Sequence, residues 1–581
     1  MEAEDSDQYE ELSSVILDVV KLVHETNRRR LLHCNKWATE LLCSILNSSV
    51  IADAKNNGHS FSKQLADGAS NSGVDVDDFA IVSLCQSCVD AREFERAVKL
   101  TELHPPRNRN LLFYFHCYAL YLSGEKKRLE SAADVCGSSL EYKNGSVRND
   151  CNENCPMIEK KMRQNIDSVQ SDSWLLYLHG VVLSELQMTQ QAINQLCRSI
   201  QLNPLFWGAW KQLSDLVSDR EELEKLDLPD HWMKSLFSGE VYIRLHFASE
   251  ALRVLSPLHE GQSSVFKNWP YLLERLAAAY HSRTPQGLDE IVELFEKIQE
   301  IDPYRLDGID LYANTLFVKG LRVELATLAH RLFEENKYTV ETCCVVGNYF
   351  ALRGEHERAI TFFLRALKLN PKYAGVWVLI GHEFMELQNQ AAAIKAYRKA
   401  VEVEPGDFRA WYGLGQAYEI AKMPSWSLYY YRQAHKLRPA DSRFLVAMGN
   451  VYEEMGQLEE AAKACWKAYS VGDIEGMALI KLGRLYERMK KSDQAAAVYS
   501  LYLERLQDQN LSDEVNEGEC YRYLASYCLD EGRLTDAHTY AQKCLEFEKS
   551  KEDAKGILKK ISQLRSEEET SLQQKIDDCA E

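Results

Sequence analysis

No segment of this chain supplies the roughly 18–20 unbroken apolar residues that a membrane-crossing helix needs. Its start, Met1–Glu11, is acidic and has neither the basic nor the apolar region of a signal peptide. These absences predict a soluble chain that stays inside the cell. Positive charge is also in deficit: 68 Lys and Arg stand against 87 Asp and Glu, a net charge of −19. Phosphate backbones are held by clustered cations, so nucleic acid is not expected as the main partner. Basic or mixed-charge protein segments suit such a chain better.

The 16 cysteines do not form a framework. Cys85 and Cys88 make one CxxC inside a helical pattern, with no second pair at zinc-like spacing. Cys465 and Cys544 fall at apolar positions of the pattern described below, as buried, reduced thiols of a cytosolic or nuclear protein would. Catalytic signatures are missing too: there is no Walker loop, no HExxH and no GxSxG elbow. Gly413-Leu-Gly415 resembles the start of a dinucleotide fingerprint, but Tyr418 stands in the third glycine position and no strand precedes it. His382 lies beside Glu383 without a further ligand near in sequence, which fits a satisfied or solvated histidine. No catalytic residue, metal or cofactor is expected, and the chain reads as a non-enzyme.

What the chain does have is repetition. Gly347, Gly381, Gly415, Gly449 and Gly483 follow one another every 34 residues, the period of a tetratricopeptide array with two antiparallel helices per unit. Counting from Ala374 as position 1, the unit shows Trp377, Ile380, Gly381, Phe384, Ala393, Tyr397, Ala400 and Pro405. The next unit repeats this as Trp411, Leu414, Gly415, Tyr418, Tyr431, Ala434 and Pro439. Position 8 is where the two helices touch most closely, so it must be small. Positions 4, 7, 11 and 24 are large and fill the gaps left by the small residues at 8, 20 and 27. Proline at position 32 ends the second helix. No strand pattern competes, so the expected fold is an all-α tetratricopeptide-repeat superhelix with degenerate N-terminal repeats and a C-terminal capping helix.

Along the chain, residues 1–135 read as a helical, degenerate-repeat segment interrupted by a flexible loop at 47–78. Residues 136–171 are polar, show no apolar periodicity and read as a disordered insertion. Irregular repeats occupy 172–305 and regular ones 306–551. A capping helix covers 552–565 and a disordered acidic tail 566–581.

Stacked first helices line a groove, with positions 2, 5, 9 and 12 pointing into it. Position 9 reads Asn348, His382, Gln416, Asn450 and Arg484, a polar ladder able to bond an extended backbone. Position 12 ends in Glu419, Glu453 and Glu487, a row of carboxylates that would seat an arginine or lysine. Tyr412 at position 5 offers a stacking face for a guanidinium. The competing reading makes the glutamates a solvated face paired with Arg409, Arg443 and Arg484. Position 5, with Cys344, Val378, Tyr412, Val446 and Ile480, lacks the lysine of chaperone-binding carboxylate clamps.

The segments Leu12–Leu46, Ser173–Trp210 and NKYTVETCCVVGNYF from Asn336 go beyond generic repeat positions. Through them nearly the whole chain resembles subunit 8 of the anaphase-promoting complex, the cell-division-cycle 23 family, in a plant form. The resemblance implies a non-catalytic scaffold subunit of a mitotic ubiquitin ligase, found in nucleus and cytoplasm. It implies homodimerisation through the N-terminal repeats, contacts with other subunits of the complex, and a C-terminal groove that receives a co-activator motif containing arginine. The residues alone also allow an unrelated monomeric adaptor binding basic peptide segments, or a structural spacer.

Overall fold

The computed structural model describes residues 18–46, 84–103, 109–136, 152–260, 266–283, 287–439, 441–473, 476–509 and 514–578. The loop drawn over 47–78 lies outside them, as do residues 1–17, 137–151 and 579–581. Among the described residues every regular element is a helix, and the fold is an all-α tetratricopeptide array. The chain divides into two compact units, Met1–Lys319 and Gly320–Glu581.

In the C-terminal unit, first helices of 13 residues alternate with second helices of 14: Val340–Leu352 with His356–Leu369, Ala374–Glu386 with Gln390–Val403, and Phe408–Ile420 with Pro424–Leu437. Ser442–Glu454 with Leu458–Gly472 and Met477–Arg488 with Ser492–Gln509 continue the series. Local chemistry sets the ends. Asp407 and Asp441 cap first helices by accepting from the backbone N–H of Arg409 and Arg443. Each first helix then stops at a left-handed residue, and these recur with the repeat: Gly354, Gln388, Lys422, Gly456 and Lys490. Second helices end at Leu369, Val403 and Leu437, just ahead of Pro371, Pro405 and Pro439.

The repeat glycines sit against rings. A Cβ on Gly381 would lie 2.4 Å from the Tyr397 ring, one on Gly415 2.3 Å from Tyr431, and one on Gly483 2.4 Å from Tyr499. Phe363 takes the same place against Gly347, and the smaller Cys465 against Gly449. Tyr397 is closed from its other side by Gly413 of the next repeat, where a Cβ would lie 2.5 Å away. Trp377 bridges two successive core clusters, and the Trp411 indole N–H donates to the Pro405 carbonyl at 2.9 Å.

The last helix runs from Lys551 to Asp578, beyond the 552–565 drawn from sequence and through most of the tail expected to be disordered. Ala554 and Ile561 are buried. Beyond Ser566 no glycine or proline interrupts a run of good helix formers, so the helix continues on propensity.

In the N-terminal unit, helical pairs such as Ser173–Glu185 with Thr189–Leu202 and Trp232–Arg244 with Ala248–Glu260 are less regular. Part of the segment expected to be disordered, 136–171, is helical: Cys155–Gln164 and Ile166–Ser171 bury Cys155, Ile158, Met162 and Val169. The apolar spacing Cys155, Ile158, Met162 is helical but short, and its polar surroundings masked it. Helix Leu32–Leu46 is built into the repeats, with Trp37 stacked on Trp207 at 5.4 Å and edge-on to Trp269. Tyr114 and Phe115, from the aromatic run at 113–121, are fully buried within the unit.

His116 is buried between two polar groups. Thr101 Oγ1 lies 2.8 Å from Nδ1 and Lys161 Nζ 2.7 Å from Nε2. The ammonium donates to Nε2, so only a neutral imidazole fits. Burial first, and Lys161 second, hold its pKa down to about 4.

Two expectations follow. Gly381→Leu should overpack the helix crossing and cost about 1–3 kcal/mol. Adding Tyr397→Ala, which vacates the space, should cost less than the two single changes together. Urea unfolding of all four proteins measures that coupling, and strictly additive values would contradict the wedge. For His116, the folded pKa lies below the unfolded value. Its stabilisation is therefore complete above about pH 6.5 and is lost as pH falls toward 4. Going from about pH 7.5 to 5 should remove about 1–2 kcal/mol, and His116→Gln should remove that part of the pH dependence. An unchanged pH dependence in the variant would refute the assignment.

Candidate peptide-binding groove

The first helices of the C-terminal unit present the ladder in order, but not all of it is offered to a ligand. Asn348 is only 3% exposed, so little of it is offered to a ligand. His382 is reachable by solvent yet crowded by protein, and the Tyr397 hydroxyl lies 2.9 Å from its Nδ1. That crowding, and then the Arg409 guanidinium, lower its pKa to about 4. Tyr412 is half-buried, with its ring 5.4 Å from both Tyr431 and Phe444, so part of the stacking face assigned to it is already used. Asn450 accepts from Lys481 Nζ at 2.6 Å. Arg484 pairs with Glu519 at 2.6 Å and donates to Asn516.

The three carboxylates fall into two kinds. Glu419 accepts a 2.5 Å hydrogen bond from the Tyr431 hydroxyl, and Glu487 the same from Tyr499. Glu453 has Cys465 at the corresponding place, with no hydroxyl to offer, and pairs with Arg488 instead. Arg409 and Arg443 are engaged by nearby aspartates. Each is held by two contacts to the capping carboxylate beside it, Asp407 or Asp441. The solvated-face reading, which paired the glutamates with Arg409, Arg443 and Arg484, did not provide for these caps.

The electrostatic outcome follows. Burial first, and the hydrogen bond to the glutamate second, push the Tyr431 and Tyr499 hydroxyls far above the ordinary tyrosine range, so both stay protonated and donate. Glu419 and Glu487 are thus fixed by neutral partners, whereas Glu453 is compensated by a cation. Sequence reading placed Tyr431 at a core position and connected neither it nor Tyr499 to the groove. The 12-residue offset from glutamate to tyrosine, present in both repeats, is the signal that would have done so. Among the described residues no group of three or more His, Cys, Asp or Glu could hold a metal ion, and no helix is long and apolar enough to cross a membrane.

Comparison with known proteins agrees with this architecture. Residues 18–277 match the family profile described as anaphase promoting complex subunit 8 / Cdc23, and 340–373, 381–419 and 477–506 match tetratricopeptide-repeat profiles. The chain is 36% identical over 297 residues to anaphase-promoting complex subunit 8 of Arabidopsis thaliana, covering 51% of this chain and 49% of that one. It is 39% identical over 326 residues to the human cell division cycle protein 23 homolog, covering 56% and 50%. With subunit 8 of Dictyostelium discoideum the identity is 31% over 404 residues, covering 63% and 67%. The matched region thus spans about half the length of the plant and human relatives and two thirds of the amoebal one. The crystal structure of the APC/C hetero-tetramer Cut9-Hcn1 aligns over 90% of this chain and 95% of that one, with a TM-score of 0.52 and 17% identity, a likeness of fold.

Removing the Tyr431 hydroxyl tests the arrangement. Tyr431→Phe should cost about 1 kcal/mol on urea unfolding, because half-exposed Glu419 regains water in place of the lost bond. Glu453→Gln should change the stability by less than about 1 kcal/mol, as its partner Arg488 is largely exposed. A loss on Glu453→Gln larger than that on Tyr431→Phe would reverse the two kinds of carboxylate.

Proposed function

The chain belongs to the anaphase-promoting complex subunit 8/Cdc23 family, and from that premise we propose that it is a non-catalytic scaffold subunit of the anaphase-promoting complex. Its N-terminal repeats mediate homodimerisation and its C-terminal unit contacts other subunits. The groove of that unit takes an extended co-activator motif and seats its arginine. Ubiquitin transfer then belongs to other subunits, and the protein works in both nucleus and cytoplasm during the cell cycle.

One observation carries the groove assignment. Glu419 and Glu487 are half-exposed carboxylates held in place by tyrosine hydroxyls, and among the described residues neither is paired with a cation. A carboxylate fixed by a neutral donor costs little to keep oriented and retains its charge for a guanidinium, which it can engage with two parallel hydrogen bonds. Gln416 and Asn450 on the adjoining first helices supply donors and acceptors for the backbone of an extended segment.

Two measurements test the proposal. The tagged chain, purified gently from dividing cells and sized by chromatography, should elute in a very large particle containing cullin-like and RING-like subunits at fixed ratios. Elution as a free monomer would sink the scaffold role. On the purified full chain, Glu419→Gln and Glu487→Gln should each weaken binding of a fluorescent arginine-bearing peptide by about tenfold, equivalent to 1.4 kcal/mol. Glu453→Gln should weaken it far less. Equal effects of all three would refute the division between free and compensated carboxylates.

A further inference from the structure

The second helices of the C-terminal unit carry a face that the groove reading leaves unused. In the three repeats that begin at Ala374, Phe408 and Ser442, positions 20, 24 and 27 are buried, whereas most side chains at positions 22, 25, 26 and 29 are exposed. The latter positions hold seven Lys or Arg and a single acid, Glu402. The chain as a whole has a net charge of −19, so this strip has the opposite sign to the chain that carries it. Among the described residues, Lys395, Arg398, Arg432, Lys436 and Lys467 are exposed and none is paired with a carboxylate.

Two of these cations are held in a repeating geometry. Arg398 donates to the Tyr418 hydroxyl at 2.6 Å and Arg432 to the Tyr452 hydroxyl at 2.8 Å, each contact running from position 25 of one repeat to position 11 of the next. A neutral partner fixes each guanidinium and leaves its charge and remaining donors facing outward, as the tyrosines do for the glutamates of the groove. Interleaved with the cations are three large rings that the fold does not cover: Trp426 is 56% exposed, Tyr429 48% and Trp466 50%. Tyr418, Trp426 and Tyr430 stack on one another beside Arg398, with Tyr418 and Tyr430 nearly parallel at 5.2 Å.

We propose that this outer face is a second docking surface, one that binds an acidic, extended polypeptide segment of a partner protein. The carboxylates of the segment would meet the strip of cations, and its apolar side chains the rings of Trp426, Tyr429 and Trp466. An extended chain advances about 3.3 Å per residue, so a segment whose carboxylates recur along its length can meet cations on successive second helices. A protein ligand is favoured over nucleic acid, because the strip is embedded in a strongly acidic chain that would repel a long polyanion.

The test uses the full chain and fluorescence anisotropy with three probes: a labelled peptide with glutamate at every third position and leucine and serine between, its counterpart with lysine for glutamate, and a labelled single-stranded oligonucleotide. The acidic peptide should bind and the lysine peptide should not compete for this face. Binding should weaken between about 50 and 300 mM salt. Lys395→Glu with Lys436→Glu should weaken it by about tenfold, and Trp426→Ala by a similar factor, with an unchanged helical signal because none of these side chains is buried. Glu419→Gln should leave it unaltered, which separates this surface from the groove. Absence of binding at low salt, equal affinity for the double variant, or tighter binding of the oligonucleotide would each overturn the proposal. So would a finding by light scattering that the double variant abolishes self-association while leaving peptide affinity intact.

Discussion

The C-terminal unit depends on the contact between the position-8 glycine and the side chain at position 24. With the would-be Cβ of Gly381, Gly415 or Gly483 less than 2.5 Å from a tyrosine ring, no other residue fits without moving the helices apart. The contact fixes how closely the two helices of a repeat approach. Since Gly413 closes Tyr397 from the far side, it also fixes how the next repeat stacks. Packing of this kind is local and repeats with the sequence, so each repeat specifies its own geometry and that of its neighbour.

The same contact has a chemical consequence. A phenylalanine such as Phe363 fills the space as well as a tyrosine does, so the hydroxyls of Tyr431 and Tyr499 are not required by packing. They emerge in the groove and donate to Glu419 and Glu487. The N-terminal unit handles its carboxylates differently. Glu240 is buried between Lys211 and Arg275, and Glu274 lies against Arg275 and Arg305, so each anion meets cations of its own chain. Such a network spends its charge on offsetting desolvation and leaves little for a ligand. Carboxylates oriented by neutral hydroxyls keep theirs, and this is the physical ground for placing the peptide site in the C-terminal unit.

Legibility in the sequence followed the same division. The repeat register could be read because its packing rules act between residues at fixed spacing, and Gly347 to Gly483 recur every 34 residues. The helix at Cys155–Gln164 was missed because only three apolar residues carry its period within a polar stretch, and what holds it in place is burial against the repeats that follow. Lys551–Asp578 was cut short for a related reason, since its far half has helix propensity but little apolar pattern. In the groove, the positions were legible and the partners were not. Arg409 and Arg443 look available to the glutamates in a linear reading, but the capping role of Asp407 and Asp441 places a carboxylate two residues away. A cap is a short-range commitment that takes the guanidinium before any partner across the groove can reach it.

Inner and outer faces thus follow one rule. Where a repeat needs a charged side chain oriented but not neutralised, the partner is a tyrosine hydroxyl: Tyr431 and Tyr499 for carboxylates within, Tyr418 and Tyr452 for guanidinium groups without. Where the tyrosine is replaced, the charge is lost to a salt bridge, as Cys465 leaves Glu453 to Arg488. Tyrosine suits the task because one end packs as an aromatic while the other offers a single donor and acceptor, so it can serve the core and either surface from one position. The 34-residue period then multiplies each solution, turning a local hydrogen bond into a row of like charges along a face. Such rows suit extended segments, whose own residues recur at fixed spacing, better than compact ligands.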